Sequence, residues 1–169
     1  MGSKTLLITH NIDKIGEMSC NPAIGGLGKG HLVKEIDALD GVMARATDLS
    51  CIQFRMLNSS RGAAVRGPRA QTDRSLYKNA IMKLIKQYDK LDLRQGSVED
   101  LIISKNQVCG VVLGNKSKIY SKTVVLTTGT FLKGLIRVGS EKQEAGRVGD
   151  KPSIKLANKL KDLKFSIGR

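Results

Sequence analysis

The densest run of chemically capable residues is Met18-Ser19-Cys20-Asn21-Pro22-Ala23-Ile24-Gly25-Gly26-Leu27-Gly28-Lys29-Gly30-His31. Four glycines within residues 25–30 let the backbone approach a ligand closely. They lead straight into a helical pattern, whose N-terminal N–H groups and dipole would suit a phosphate. The run is not a Walker A loop. Gly28-Lys29 has no Gly at the required upstream position, and Gly30 stands where Ser or Thr would reach magnesium. Cys20 reads in two ways. Beside Lys29 and a helix dipole, its thiolate would be a nucleophile at neutral pH. Packed into a tight glycine turn, it would be a small, inert apolar residue. His10 and His31 are the only histidines and read as hydrogen-bonded structural residues, because neither has a carboxylate at recognisable spacing.

Two further segments could meet a ligand. Arg61-Gly62-Ala63-Ala64-Val65-Arg66-Gly67-Pro68-Arg69-Ala70-Gln71-Thr72-Asp73-Arg74 presents forked guanidiniums, in a chain where Lys dominates elsewhere. Arg66, Arg69 and Arg74 are therefore candidates for gripping phosphate bidentately, against the alternative of a solvated loop. Val124-Val125-Leu126-Thr127-Thr128-Gly129-Thr130-Phe131 reads as a strand apolar on both faces that ends in small hydroxylated residues. Such a strand belongs in the middle of a parallel sheet, and ligands of open α/β folds bind at its carboxyl edge.

The elements that must position these residues follow from periodicity. Thr5–Thr9 reads as a buried strand, and residues 19–30 as a Gly- and Pro-rich loop. Leu32, Val33, Ile36, Leu39 and Met43 predict one amphipathic helix over about residues 30–46. Ile52, Phe54 and Met56 predict a half-buried strand, and residues 58–68 a loop. Thr72 or Asp73 caps a helix that turns Leu76, Ala80, Met82, Leu84 and Ile85 inward. Strands are expected at residues 91–94, 98–103, 108–113, 118–121 and 123–127, with turns at Lys105-Asn106 and Gly114-Asn115. Cys51 and Cys109 fall inside strand patterns as apolar core residues. A last helix spans residues 153–164, with Ser153 as its cap. The plan is α/β. Residues 1–90 and 123–169 form its sheet-and-helix part, and residues 91–122 a small antiparallel β-meander insert.

Composition narrows the partners. The 169 residues carry 29 Lys and Arg against 15 Asp and Glu, a net charge of +14. Residues 1–60 are balanced, so residues 61–169 hold the whole excess, which favours polyanions. The six aromatic residues are too few for a base-stacking platform, so RNA would be met through its phosphates. Three Cys with no C-x-x-C pair argue against a disulfide scaffold or zinc site and for a reducing compartment. No apolar run approaches the ~20 residues of a bilayer span, and no signal-peptide pattern opens the chain. The expected location is the cytoplasm, with the mitochondrial matrix as the alternative.

Residues 18–41, the Arg66-Gly-Pro-Arg-Ala-Gln-Thr-Asp-Arg74 string, Val125-Leu-Thr-Thr-Gly-Thr-Phe-Leu and Ala145-Gly-Arg-Val-Gly-Asp together closely resemble the GidA/MnmG family. The resemblance runs in order over essentially the whole chain. It implies part of a Rossmann-like FAD-binding domain of the glutathione-reductase type. The implied enzyme installs a carboxymethylaminomethyl or aminomethyl group at carbon 5 of the tRNA wobble uridine. Methylene-tetrahydrofolate and NADH are its co-substrates, an MnmE-type GTPase its partner, and the full-length family is homodimeric. The family's functional cysteine falls on Cys20, acting at the uridine or in carrying the methylene unit. Implied FAD contacts are Val98 and Ser153. The segment after Ile8-Thr9-His10, the Asn21-Pro22 stretch and the Thr128-Gly129 turn are expected along the dinucleotide.

The chain also departs from the family. The opening Gly-x-Gly-x-x-Gly turn and its βα unit, the NADH-binding insert, a second functional cysteine and the carboxy-terminal helical domain have no counterpart here. Ala63 stands where a proline is usual, and Cys51 where a small residue is usual. The expectation is an internal fragment lacking both ends, inactive alone, binding FAD poorly and prone to aggregate. The alternatives are a non-catalytic remnant with weak RNA binding, or a fragment of the related folate-dependent tRNA uridine methyltransferase.

Overall fold

A computed structural model describes residues 2–163 and Phe165. The chain divides into two compact units after Arg94.

In the first unit, β1 (Thr5–Thr9) pairs with β5 (Leu91–Gln95) in a small parallel sheet, and the Thr5 N–H donates to the Lys90 carbonyl at 2.8 Å. Between them run β2 (Ala23–Gly25), α1 (Lys29–Ala38), α2 (Val42–Asp48), β3 (Cys51–Leu57), β4 (Gly67–Thr72) and α3 (Arg74–Ile85). The strands β2, β4 and β3 form an antiparallel sheet in that order. The strand β2 lies where the periodicity predicts a loop, and β4 begins in the other predicted loop and runs on through residues for which no strand is expected. Neither Ala-Ile-Gly nor Gly-Pro-Arg-Ala-Gln-Thr has strand-forming composition, so each is extended because it has the other to pair with.

The helix expected over residues 30–46 is two helices. Asp40 takes a φ of +62°, and the Gly41 N–H donates back to the Ile36 carbonyl at 2.9 Å. A Cβ on Gly41 would run into the Ile36 side chain and carbonyl, so the chain turns sharply there and only glycine fits. The turn brings α2 against both α1 and α3. Ile24, Ala46, Tyr77, Ala80, Ile81, Leu84 and Ile85 make the core. In α3 the inward stripe therefore includes Tyr77 and Ile81, with half-buried Met82 packed against it as expected, whereas Leu76 is 52% exposed, contrary to expectation. Asp73 is the cap, accepting the Leu76 N–H at 2.8 Å, and Thr72 is not.

The expected half-buried strand is present as β3, but Ile52, Phe54 and Met56 are all exposed. It is an edge strand, and α1 packs on β2 and β4 without extensive contact to β3. Cys51 is exposed on the same strand and Cys109 is half-buried, so neither is a core residue.

In the second unit β6 (Val98–Ser104), β7 (Gln107–Leu113) and β8 (Lys118–Tyr120) form an antiparallel meander, but the strand expected at residues 91–94 is not part of it, because β5 pairs with β1 instead. Lys105 and Asn106 both take positive φ at the first hairpin, the geometry that matches strand twist in a two-residue turn. The hairpin of β9 (Leu135–Val138) and β10 (Glu141–Glu144) has no clear periodic signal. The helix α4 (Ile154–Asp162) packs on β6, with Lys155 Nζ 2.6 Å from Glu99 Oε2 and Lys159 Nζ 3.2 Å from Asp100 Oδ1. Ser153 holds the cap position without a side-chain cap bond.

The central strand expected at residues 123–127 does not form. Val125 is 83% exposed and Leu126 38%. A strand apolar on both faces needs paired neighbours on both edges, and none of the described strands pairs with this one.

Two stability predictions follow from this core. Asp73→Ala should cost about 1 kcal/mol through loss of the cap, with Asp73→Ser keeping most of it, read as the thermal midpoint by circular dichroism. Burial pushes the Tyr77 phenol above its ordinary value of 10.0. A phenol kept neutral by folding contributes stability that is complete below the unfolded pKa and lost as pH rises through the folded one. Tyr77→Phe should therefore show a smaller drop in thermal midpoint between about pH 8 and about pH 11 than the parent chain.

Candidate functional site

Two residues at the β4–α3 junction, Thr72 and Arg74, hold the Cys20 loop, and Asp73 between them ties in other elements. Thr72, only 2% exposed, directs both its N–H (2.8 Å) and its hydroxyl (3.0 Å) to the Pro22 carbonyl. The same hydroxyl lies 3.3 Å from Met18 Sδ. The N–H of Asp73 donates to the Ser50 carbonyl at 2.9 Å, tying in the end of α2, while its carboxylate caps α3. Arg74 then reaches back across the loop, its Nη2 donating to the Cys20 carbonyl at 2.8 Å. The backbone on both sides of Asn21 is thereby anchored, and the Cys20 side chain is left exposed. Of the two readings of this cysteine, the buried one does not describe it.

The glycine stretch is held by its own backbone. Gly26 donates to the Pro68 carbonyl at 2.9 Å, and Gly25 sits so close to Pro68 and Arg69 that a Cβ there would collide with their backbone. At the start of α1, His31 Nδ1 accepts the Gly28 N–H at 3.1 Å, which makes His31 the structural residue expected of it. Lys29 Nζ donates to the Ala23 carbonyl at 2.9 Å. One N–H at this helix end and the nearby ammonium are thus engaged within the loop.

The flavin contacts implied by resemblance fall in both units. In the first, His10 follows β1 and is exposed, while Asn21 and Pro22 belong to the anchored loop. In the second, Val98 opens β6, and Thr128 and Gly129 lie in a turn rather than at the end of a strand. The turn and Ser153 are brought together through Phe131. The N–H of Phe131 donates to the Thr128 carbonyl at 3.0 Å, and its carbonyl accepts the Ser153 N–H at 2.8 Å.

The three arginines proposed for phosphate do different things. Arg74 holds Cys20, and Arg66 donates through Nε to the Arg61 carbonyl at 3.0 Å. Arg69 lies in β4, in register with Arg55 of β3. Sequence reasoning missed Thr72 as an anchor and Arg55 as a partner of Arg69. A hydroxyl beside a helix start looks like a cap, and a cross-strand pair is visible only once the register is known.

The chain can be set beside known proteins on this geometry. A family model described as glucose inhibited division protein A matches residues 1–169. The structures of Aquifex aeolicus GidA in its form II and form I crystals each superpose with a TM-score of 0.89 at 44% sequence identity. Each match covers 96% of this chain and 27% of that chain, so the sequence spans little more than a quarter of its relative's length. The GidA-related protein from Thermus thermophilus superposes with a TM-score of 0.61 at 18% identity, covering 96% of this chain and 59% of that one. At that identity the likeness is one of fold.

The exposure pattern predicts thiol reactivity. Cys20 and Cys51 are exposed, whereas Cys109 is half-buried with its Sγ 3.5 Å from the Gln107 carbonyl. Native protein should show two fast-reacting thiols with DTNB and one slow. Cys20→Ser should remove one of the fast ones, and an unchanged fast amplitude would contradict the loop geometry.

Proposed function

The chain belongs to the glucose inhibited division protein A (GidA) family, and on that premise we propose that it carries part of the site that modifies carbon 5 of the tRNA wobble uridine. The group installed is carboxymethylaminomethyl or aminomethyl. The observation that carries this reading is the anchored loop with its exposed thiol: Thr72 and Arg74 fix the backbone around Cys20 while leaving the sulfur open. A nucleophile held by its backbone on a sheet–helix junction keeps its position when a bulky substrate arrives. In this reading Cys20 acts at the uridine or in carrying the methylene unit.

FAD would be held by Val98, Thr128, Gly129 and Ser153 of the second unit. The fit is supported at Gly129, where φ is +53° and a Cβ would meet nothing within 4 Å, so a ligand can lie against the backbone. When bound, FAD supplies the redox chemistry, with NADH as reductant and methylene-tetrahydrofolate as carbon donor. The pyrophosphate-seating glycine turn is not in this sequence.

The modification activity proposed here is that of the whole family polypeptide, and this chain covers 27% of its Aquifex relative. That reading includes residues 1–90 and 123–169 as one flavin domain interrupted by the meander of β6, β7 and β8. It is supported by apolar side chains left bare, among them Val125, Ile52 and Phe54. The MnmE-type GTPase, the homodimer and the cytoplasm belong to the same proposal. No helix among the described residues is long and apolar enough to cross a membrane.

A hybrid tests the proposal. Residues 1–169 replace the matching stretch of the Aquifex protein, and wobble-uridine modification is measured by nucleoside mass spectrometry. The hybrid should modify tRNA, and Cys20→Ser in the hybrid should abolish modification while keeping flavin absorbance. Full activity of the Cys20→Ser hybrid would remove Cys20 from the chemistry.

A further inference from the structure

The register of the β2–β4–β3 sheet puts Arg55 opposite Arg69 and, two residues along, Gln53 opposite Gln71. In an antiparallel pair, opposed residues project from the same face, with Cβ atoms ~5 Å apart, and the next pair on that face stands ~7 Å further along. The four side chains thus form a rectangle, two guanidiniums at one end and two amides at the other. The three strands Ala23–Gly25, Cys51–Leu57 and Gly67–Thr72 contain no Asp or Glu. Neither Arg55 nor Arg69 makes a side-chain hydrogen bond or ion pair among the described residues. Arg55 and Gln53 are exposed, and Arg69 and Gln71 half-buried.

Like charges placed directly across a ladder destabilise it, and a cross-strand arginine pair with no acid beside it is an unfavourable arrangement for folding alone. An anion between the two guanidiniums reverses the sign, since each fork can donate two parallel hydrogen bonds to phosphate oxygens. On the opposite face Ile24 and Ala70 are buried, and on the rectangle's own face Ala23, opposite Gln71, is buried too, so the open part of the rectangle is its β3 edge, Gln53 and Arg55.

We propose that Arg55 and Arg69, with Gln53 and Gln71, form a phosphodiester-binding face that holds the backbone of the RNA substrate. This rests on the tRNA reading above and adds to it the residues that grip the strand. The occupant is RNA because the sheet face meets a chain-like polyanion by charge: the sequence carries +14 overall, and its few aromatic residues leave phosphates as the contact. The amide pair reaches the adjoining ribose hydroxyl or phosphate oxygen. Because no base edge is read, binding is insensitive to sequence.

The test uses the hybrid enzyme described above, an unmodified tRNA transcript and an unrelated single-stranded RNA, with affinity measured by fluorescence anisotropy across a salt series. The double variant Arg55→Gln/Arg69→Gln should weaken binding to both RNAs about equally, by roughly tenfold or more, and lower the salt slope by about 1–2. Lys116→Gln/Lys118→Gln, which removes the same charge from the other unit, should have a smaller effect. An equal loss in both double variants would overturn the proposal, because bulk charge alone would then explain it. So would unchanged binding in the arginine variant, or no RNA binding by the parent hybrid. Competition by inorganic pyrophosphate at concentrations comparable to the RNA would also overturn it, assigning the pair to a free dinucleotide phosphate instead.

Circular dichroism keeps folding separate. Removing a like-charge pair should leave the thermal midpoint unchanged or raised, and the single Arg55→Gln variant on the exposed edge strand repeats the measurement if the double variant misfolds. These outcomes do not touch the Cys20 chemistry, whose failure would appear in the hybrid enzyme's modification assay.

Discussion

The structure of the first unit turns on the strand–helix junction Thr72-Asp73-Arg74, whose first residue is buried. An extended strand that runs directly into a helix leaves donors at the changeover that must find acceptors. Here they find them in distant parts of the chain. Thr72 takes the Pro22 carbonyl twice, Asp73 takes the Ser50 carbonyl and caps its own helix, and Arg74 takes the Cys20 carbonyl. Satisfying one strand–helix boundary thus fixes a loop about fifty residues earlier in the chain and the end of a second helix. The cysteine is held by this arrangement without being enclosed by it.

The same constraint explains why the loop is rich in glycine and contains one proline. The backbone at Gly25 approaches Pro68 and Arg69 too closely for a Cβ, and Gly26 donates to the Pro68 carbonyl. Pro22 offers a carbonyl and no N–H of its own, so nothing there is left unpaired when Thr72 claims the oxygen. Hydrogen bonds to Cys20 and Pro22 go to their carbonyls, and the sulfur is not needed to hold the fold. This division between a backbone that bears the structure and a side chain available for chemistry is what a nucleophile in a fixed position requires.

Charge is distributed by the same logic. Arg66 and Arg74 bond to carbonyl oxygens of neighbouring turns and serve the fold, whereas Arg69 faces Arg55 across the ladder with no acid in the sheet. One sequence segment therefore holds arginines of two kinds, and spacing along the chain does not distinguish them. In the second unit, by contrast, the cations Lys155 and Lys159 on α4 meet Glu99 and Asp100 on β6, so part of the positive excess there is locally balanced.

Much was legible from the residues alone. The strands at Thr5–Thr9 and in the meander, the helix capped by Asp73, the cap position of Ser153, and the family were all readable, because each rests on local pattern: alternation, a 3.6-residue stripe, a turn dipeptide, an uninterrupted motif. The sharp break at Asp40-Gly41 carried a local signal too, but the long apolar stripe across it masked the turn. What local pattern could not decide was anything that depends on a partner. Residues 23–25 and 67–72 became strands because they met each other, Phe54 stayed exposed because β3 fell at a sheet edge, and the apolar run at residues 123–127 stayed irregular because no described strand pairs with it. The pairing of Arg55 with Arg69 belongs to the same class. A strand's register sets which side chains share a face, and register is decided by the neighbouring strand, not by the residues of the strand itself.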